Sequence, residues 1–347
     1  MRSNWWKFLG ILILIYVMIA GLGFPLKPGI TDISPFKVNE GEKVTFIIKG
    51  YNSNYSEKDT KAWLKLTNEE VLSAVTFDAV NDTEAAVTFN IPSSVPNNKA
   101  LNYLTLVVHN NVDGPSILPS AILVKSKKSN EGSWDAWHQS SLTTLSSKPG
   151  IQFPYRSILN ETIRNTYFHV PLWFSMFILL FASIIYSIKY LLSHNMRYDI
   201  ISSSLVRAAT LFGLLGIITG SIWAKFTWGT FWTTDVKLNM ATVAMLIYMA
   251  SLLLRTNIQD VDRRAKLFAS YNIFAFIALI PLVIVIPRLT DSLHPGNGGN
   301  PALGGEDMEN TMRLVFYPAI IGFTLLGLWI ASTLMRYETI KEKWMSK

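Results

Sequence analysis

Two histidines and one aromatic run are the residues of this sequence best suited to chemistry. His169 stands in Tyr167-Phe168-His169-Val170-Pro171 and His294 in Ser292-Leu293-His294-Pro295-Gly296. Between them, Trp223 to Asp235 reads W-A-K-F-T-W-G-T-F-W-T-T-D, with three Trp and two Phe in thirteen positions and an acid at its end. Neutral imidazole is an axial ligand for haem iron, and two of them can cap both faces of the ring. The porphyrin needs apolar and aromatic surface to lie against. Its propionates need cations or hydrogen-bond donors, for which Lys225, Lys237 and Arg288 are candidates. If residues 225–236 form a short helix, Trp228, Phe231, Trp232 and Asp235 share one face. The same aromatic density also suits a belt at a membrane–water boundary. A belt accounts for the Trp enrichment, and less well for Asp235 and for Gly229 inside the cluster.

The elements that must position these groups read as membrane helices. The chain of 347 residues is 50% hydrophobic, and it contains six apolar runs near the length of about 17–25 residues that spans a bilayer. They are Trp6–Phe24, Val170–Leu192, Ser204–Trp223, Leu238–Leu254, Leu267–Pro287 and Leu314–Leu334. The net charge is +7, and Lys and Arg near the helix ends concentrate in four clusters: Arg2 and Lys7; Lys189, Arg197 and Arg207; Arg255, Arg263, Arg264 and Lys266; and Arg336, Lys341, Lys343 and Lys347. These alternate with the remaining loops, so all four can lie on the cytoplasmic side. Both termini are then expected inside, and His169, the Trp-rich loop and the His294 loop outside. The positive charge therefore reads as topology, not as nucleic-acid binding. The first span is expected as a retained signal anchor, because its apolar core exceeds the usual 7–15 residues of a cleaved signal.

Residues 25–128 differ in character. Val44–Ile48, Ala62–Leu66, Ala86–Asn90 and Tyr103–Val108 are short β-branched or aromatic runs separated by Asn, Gly, Asp, Ser and Pro, the pattern of an all-β sandwich. Residues 129–165 form a polar connector that carries Trp134-Asp135-Ala136-Trp137-His138. The bland reading of that cluster is a staple onto the membrane surface; the sharper one places His138 beside the ligand site. His109 and His194 read as ordinary structural residues. The sequence has no Cys, which excludes a disulfide framework and a C-x-x-C-H haem attachment. It has no G-x-x-x-x-G-K-[ST] and hence no P-loop ATPase.

From Tyr167 to the end of the sixth span the chain resembles the CcmC-type haem-handling proteins of cytochrome c maturation. Tyr167-Phe168-His169-Val170-Pro171 is similar to the family's Y-x-H-V-P motif. Gly220-Ser221-Ile222-Trp223 followed by Trp228-Gly229-Thr230-Phe231-Trp232-Thr233-Thr234-Asp235 is similar to its Trp-rich "WWD" loop, and Leu293-His294 to the second His loop. Phe231 and Thr234 depart from the family's Trp, and Pro295 from its Gln. Residues 25–128 resemble an IPT/TIG-type immunoglobulin-like domain through Ile33-Ser34-Pro35, Gly41-Glu42, Lys49-Gly50, Ile91-Pro92 and Asp113-Gly114-Pro115. The sister CcsA type shares the WWD loop, but Asp235-Val236-Lys237-Leu238-Asn239 is nearer the CcmC pattern.

The resemblance implies a six-helix, all-α polytopic protein of the bacterial inner membrane with an inserted periplasmic all-β Ig-like sandwich. The expected layout is the first helix at 1–24, the sandwich at 25–128, the connector at 129–165, a five-helix haem-handling domain at 166–337 with the WWD loop at 223–237, and a cytoplasmic tail at 338–347. It implies haem b as a transient ligand of His169 and His294. Trp223, Trp228, Gly229, Phe231, Trp232 and Asp235 would form the platform for haem and a periplasmic haem chaperone of the CcmE type. A CcmA–CcmB-type ATP-driven complex and a small CcmD-type subunit are the implied partners. The implied role is binding and transfer of haem rather than conventional catalysis. The alternatives are a CcsA-type synthetase component, a structural or sensory membrane protein whose Ig-like domain binds a partner, and a transporter, which the nearly charge-free span interiors disfavour.

Overall fold

The computed structural model of the chain describes residues 4–67, 70–93, 95, 101–125, 137–139, 142, 145, 150–156, 159–294 and 308–345. The chain divides into two compact units, residues 1–24 with 161–347 and residues 25–160.

The first unit is helical. Helix α1 (Trp5–Gly23) is followed, after the second unit, by a 3-10 turn (Asn160–Tyr167), α2 (His169–Ser193), α3 (Met196–Trp228), α4 (Val236–Asn257) and α5 (Val261–Ile280). Helix α5 continues through a π-helical turn (Pro281–Val285) into the short α6 (Ile286–Leu289), and α7 (Asn310–Met345) closes the unit. Among the described residues, six helical stretches are long and apolar enough to cross a membrane, as in a multi-pass membrane protein. Local sequence sets where they begin. The Asn195 side chain caps α3 by accepting from the Arg197 N–H, and Asp260 caps α5 by accepting from the Arg263 N–H. Helix α3 therefore starts eight residues before the expected Ser204 and runs past Trp223 to Trp228.

Lipid tails are as apolar as Leu, so packing between such helices depends on close approach and on buried hydrogen bonds. Both are present. Gly10 of α1 faces Leu325 of α7, and Gly322 of α7 faces Ile13 and Leu14 of α1. Arg164 donates to the carbonyls of Gly21 and Phe24, at the C-terminal end of α1. In the bundle interior Asn272 of α5 donates to Ser183 and Ser187 of α2 at 2.9 and 3.0 Å. The helices are less free of charge than the sequence suggests. Arg255 of α4 holds Asp199 of α3 in a two-pronged ion pair at 2.7 and 2.6 Å, and Arg207 of α3 is paired with Glu338 of α7. Each charge is answered by one on another helix, so these pairs tie helices together at the end of the unit opposite the Trp-rich loop.

Among the described residues the second unit has ten strands: β1 (Gly29–Ser34), β2 (Lys37–Asn39), β3 (Lys43–Tyr51), β4 (Lys61–Lys65), β5 (Glu70–Ser73), β6 (Thr76–Asn81), β7 (Glu84–Asn90), β8 (Leu101–Asn110), β9 (Gly114–Lys125) and β10 (His138–Gln139). They form a four-stranded sheet, β1-β3-β7-β6, and a six-stranded sheet, β10-β5-β4-β8-β9-β2. Alternate residues point inward, as the two-residue period of a strand requires. Phe46, Ile48, Val87 and Phe89 of one sheet and Leu64, Leu104, Leu106 and Ile122 of the other join one apolar core. Three of the four strand runs expected from sequence lie wholly on strands of this unit, and the fourth, Ala62–Leu66, runs one residue past the end of β4. Trp137 is buried in the same core, so it does not serve as a staple on a membrane surface. Trp134, Asp135 and Ala136 lie outside the described residues, as do Pro295 and Gly296. The His138 backbone pairs with Val71 in the edge strand β10.

Candidate functional site

His169 is the first residue of α2, and Pro171 follows in the first turn, where a missing N–H costs nothing. Its Nδ1 lies 3.1 Å from the Thr219 hydroxyl of α3. That hydroxyl lies 2.9 and 3.1 Å from the carbonyls of Leu215 and Gly216, to which it donates. With the hydroxyl hydrogen directed at those carbonyls, its oxygen suits a His169 tautomer that carries its proton on Nδ1. Two glycines of α3 make room for this arrangement. A Cβ on Gly220 would lie 2.7 Å from Cε1 of His169, and one on Gly216 would lie 2.8 Å from the Trp173 ring. Trp173, one turn along α2, meets His169 edge to face at 6.3 Å.

The aromatic loop differs from the short helix considered for residues 225–236. Nothing breaks α3 before Gly229, so Trp223, Phe226 and Trp228 continue its hydrogen-bonded turns. Gly229 then ends it with φ +82°, a left-handed conformation that glycine adopts without strain. Helix α4 begins only after Asp235, and residues 229–235 form a non-helical link. Trp228, Phe231, Trp232 and Asp235 therefore do not share a helix face. Lys225 Nζ donates to the Gly229 carbonyl at 2.9 Å and lies over the Phe231 ring. Phe231 is 58% exposed, and its carbonyl accepts from Ser221 Oγ at 2.6 Å. Trp232 donates from Nε1 to Asn239 of α4 at 3.3 Å.

Asp235 has a double attachment. Its Oδ1 caps α4 by accepting from the Lys237 N–H at 2.9 Å and lies 2.9 Å from His294 Nδ1. Its Oδ2 accepts from the Leu293 N–H at 2.7 Å. The Asp235 side chain is only 1% exposed. Burial pushes its carboxyl pKa up, but the bonds donated by Ser292 and by the Leu293 and Lys237 N–H groups, with His294 alongside, outweigh burial and hold it below the ordinary value. Burial holds the His294 imidazole below its ordinary pKa despite the neighbouring carboxylate. Trp228 packs edge-on against the His294 ring at 4.9 Å, and Trp223 lies 5.7 Å from it.

His169 and His294 line one open cavity, together with Trp173, Trp232 and Lys237. Of the three cations considered, Lys237 is the one on the cavity wall. Trp223, Trp228 and Asp235 stand behind His294 rather than on the wall, and Phe231 faces away. Sequence reasoning missed Trp173, Gly216 and Thr219. The signal for Gly216 was the spacing Gly213-x-x-Gly216-x-x-x-Gly220, which puts small residues on one helix face where a neighbouring helix can approach. Among the described residues no cluster of three or more His, Cys, Asp and Glu suits a bare metal ion. Two imidazoles across an apolar, Trp-lined cavity instead suit an iron whose other ligands come with it.

The comparisons with known proteins agree with this geometry. Residues 134–347, more than half of the chain, match the family model CcmC, Heme exporter protein C. Heme exporter protein C of Bradyrhizobium diazoefficiens is 26% identical over 187 residues, 52% of this chain and 68% of the relative. A putative cytochrome c biosynthesis ccmC-like mitochondrial protein of Marchantia polymorpha is 32% identical over 126 residues, 36% of this chain and 51% of the relative. Cytochrome c biogenesis protein CcsA of Prochlorococcus marinus is 35% identical over a shorter stretch of 82 residues, 24% of this chain and 26% of the relative. With the family model covering every helix that bears the site, the chain belongs to the CcmC family of heme exporter proteins.

Proposed function

We propose that this protein binds haem b as a transient substrate at the outer face of the bacterial inner membrane and delivers it to a periplasmic haem chaperone of the CcmE type for cytochrome c maturation. One observation carries the reading: His169 and His294, far apart in sequence, line the same cavity, each with Nδ1 already engaged. With Nδ1 engaged in this way, Nε2 of each ring is the nitrogen left to offer a lone pair to iron. Trp173 and Trp232 supply aromatic surface for the porphyrin, and Lys237 supplies a cation for a propionate. Held by both imidazoles, the haem iron would have no open position for dioxygen.

The orientation rests on charge. Lys7, Arg197, Arg255, Arg263, Arg264, Lys266, Arg336 and Lys341 belong to the helix ends opposite the Trp-rich loop, which supports an orientation with both termini in the cytoplasm and the site outside. The Trp-rich link, with Phe231 and Trp232 exposed, is the surface on which the chaperone docks. Energy arrives from a CcmA–CcmB-type complex assisted by a CcmD-type subunit, because this sequence carries no P-loop. Residues 25–128 act as an Ig-like periplasmic module beside this traffic. The likeness to CcsA is confined to a quarter of the chain, so the synthetase reading is not preferred.

The test is chaperone loading. Co-expression of the full chain with its exporter partners and a CcmE-type chaperone is expected to yield haem-loaded chaperone, with little loading when both His169 and His294 are replaced by Ala. Equal loading by wild type and double variant would overturn the proposal.

A further inference from the structure

The two histidines are held in chemically different ways. His294 Nδ1 faces a buried carboxylate at 2.9 Å, whereas His169 Nδ1 faces a neutral hydroxyl at 3.1 Å. A carboxylate can only accept, so it fixes the His294 proton on Nδ1 and attracts it strongly. An imidazole whose N–H is drawn towards a carboxylate is the more basic ligand at its other nitrogen. The Thr219 hydroxyl has already committed its hydrogen to a backbone carbonyl and offers a weaker pull.

Asp235 is not available for other work. Its side chain is 1% exposed, and its oxygens receive the Leu293 and Lys237 N–H groups as well as the His294 ring. These contacts join the start of α4 to the loop that carries His294. The carboxylate thus fixes both where that ring sits and which of its nitrogens is open.

We propose that Asp235 is a positioning residue that orients His294 and makes it the stronger of two unequal iron donors, so that His169 is the ligand that yields first when haem is handed on. The proposal rests on the reading of His169 and His294 as the iron ligands. It gives the site a direction: the firm ligand stays with α4 and its loop, and the yielding one lies at the start of α2, beside Thr219.

The experiment compares haem loss from the purified, haem-loaded full chain to an excess of apomyoglobin. Second-shell partners of a ligating histidine typically contribute 10–100-fold to affinity. Asp235→Asn, which keeps an acceptor for the helix cap but removes the charge, is expected to speed haem loss by roughly 10–100-fold. Thr219→Val is expected to change it less than Asp235→Asn does. Independently of any change at Asp235, His169→Ala should retain haem longer than His294→Ala. In the haem-free chain, Asp235→Asn should speed hydrogen exchange at the Leu293 amide, a readout that needs no haem. Haem loss from Asp235→Asn no faster than from Thr219→Val, or firmer retention by His294→Ala than by His169→Ala, would overturn the proposal. A wild type that never takes up haem would instead overturn the parent reading.

Discussion

Gly220 and His169 are in contact across two helices. The imidazole lies so close to the glycine that an added Cβ would stand 2.7 Å from its Cε1. That is shorter than carbon–carbon contact allows, since such atoms are at optimal separation at about 3.5–4.0 Å. The α3 backbone therefore acts as one wall of the His169 pocket. Gly220→Ala should push the ring off its Thr219 partner and lower haem content per protein by about tenfold, while the variant still inserts in the membrane. Haem content by pyridine haemochrome, against membrane-fraction yield, checks this; normal content would mean that the ring is free to shift.

Trp223 and Trp228 act on His294 from behind. Trp228 meets it at 4.9 Å and also meets Trp223 at 4.9 Å. Aromatic pairs of this kind contribute about 0.5–1.5 kcal/mol each beyond burial. Trp228→Ala should therefore accelerate haem loss, and Trp228→Phe should keep much of the wild-type rate. Trp232→Ala should act differently, by removing cavity wall rather than ligand support. A Trp228→Ala variant that loses haem at the wild-type rate would assign that residue to the membrane belt alone.

The ion pair of Asp199 and Arg255 holds the opposite end of the bundle. Asp199 is 0% exposed in its side chain and Arg255 is 9% exposed. Removing one member of such a pair leaves a buried charge and costs about 3–5 kcal/mol, whereas replacing both by apolar residues is often neutral. Asp199→Leu should lower thermal stability in detergent sharply, and Asp199→Leu combined with Arg255→Met should recover most of the loss. A double variant as unstable as the single one would show that the pair contributes net stability.

Every residue assigned to the haem site lies in the helical unit, residues 1–24 with 161–347. Deleting residues 30–125 should therefore leave haem content within about twofold of wild type. Chaperone loading, measured in the same preparation, reports separately on a role for the β unit.

The helices were legible because membrane spans announce themselves by length and composition, and the strands because their β-branched runs are short and separated by turn residues. His169 and His294 stood out as polar groups at the edges of apolar segments. The loop was misread in one respect. Aromatic spacing of three and four suggested a separate helix, but it could not reveal that α3 itself continues to Trp228 and stops at Gly229. Trp173 was hidden because a Trp inside a span looks like any other apolar residue. Asp199 and Arg255, which lie far apart in sequence, could be recognised as partners only once α3 and α4 were brought together.

The most direct measurement of the central claim is the reduced-minus-oxidised visible spectrum of the purified wild-type protein beside that of a His169→Ala, His294→Ala double variant. The wild type is expected to show the α, β and Soret bands of a low-spin haem with two imidazole ligands, and the double variant to lack them. A wild type without haem, or a double variant with full haem and an unchanged spectrum, would contradict the account.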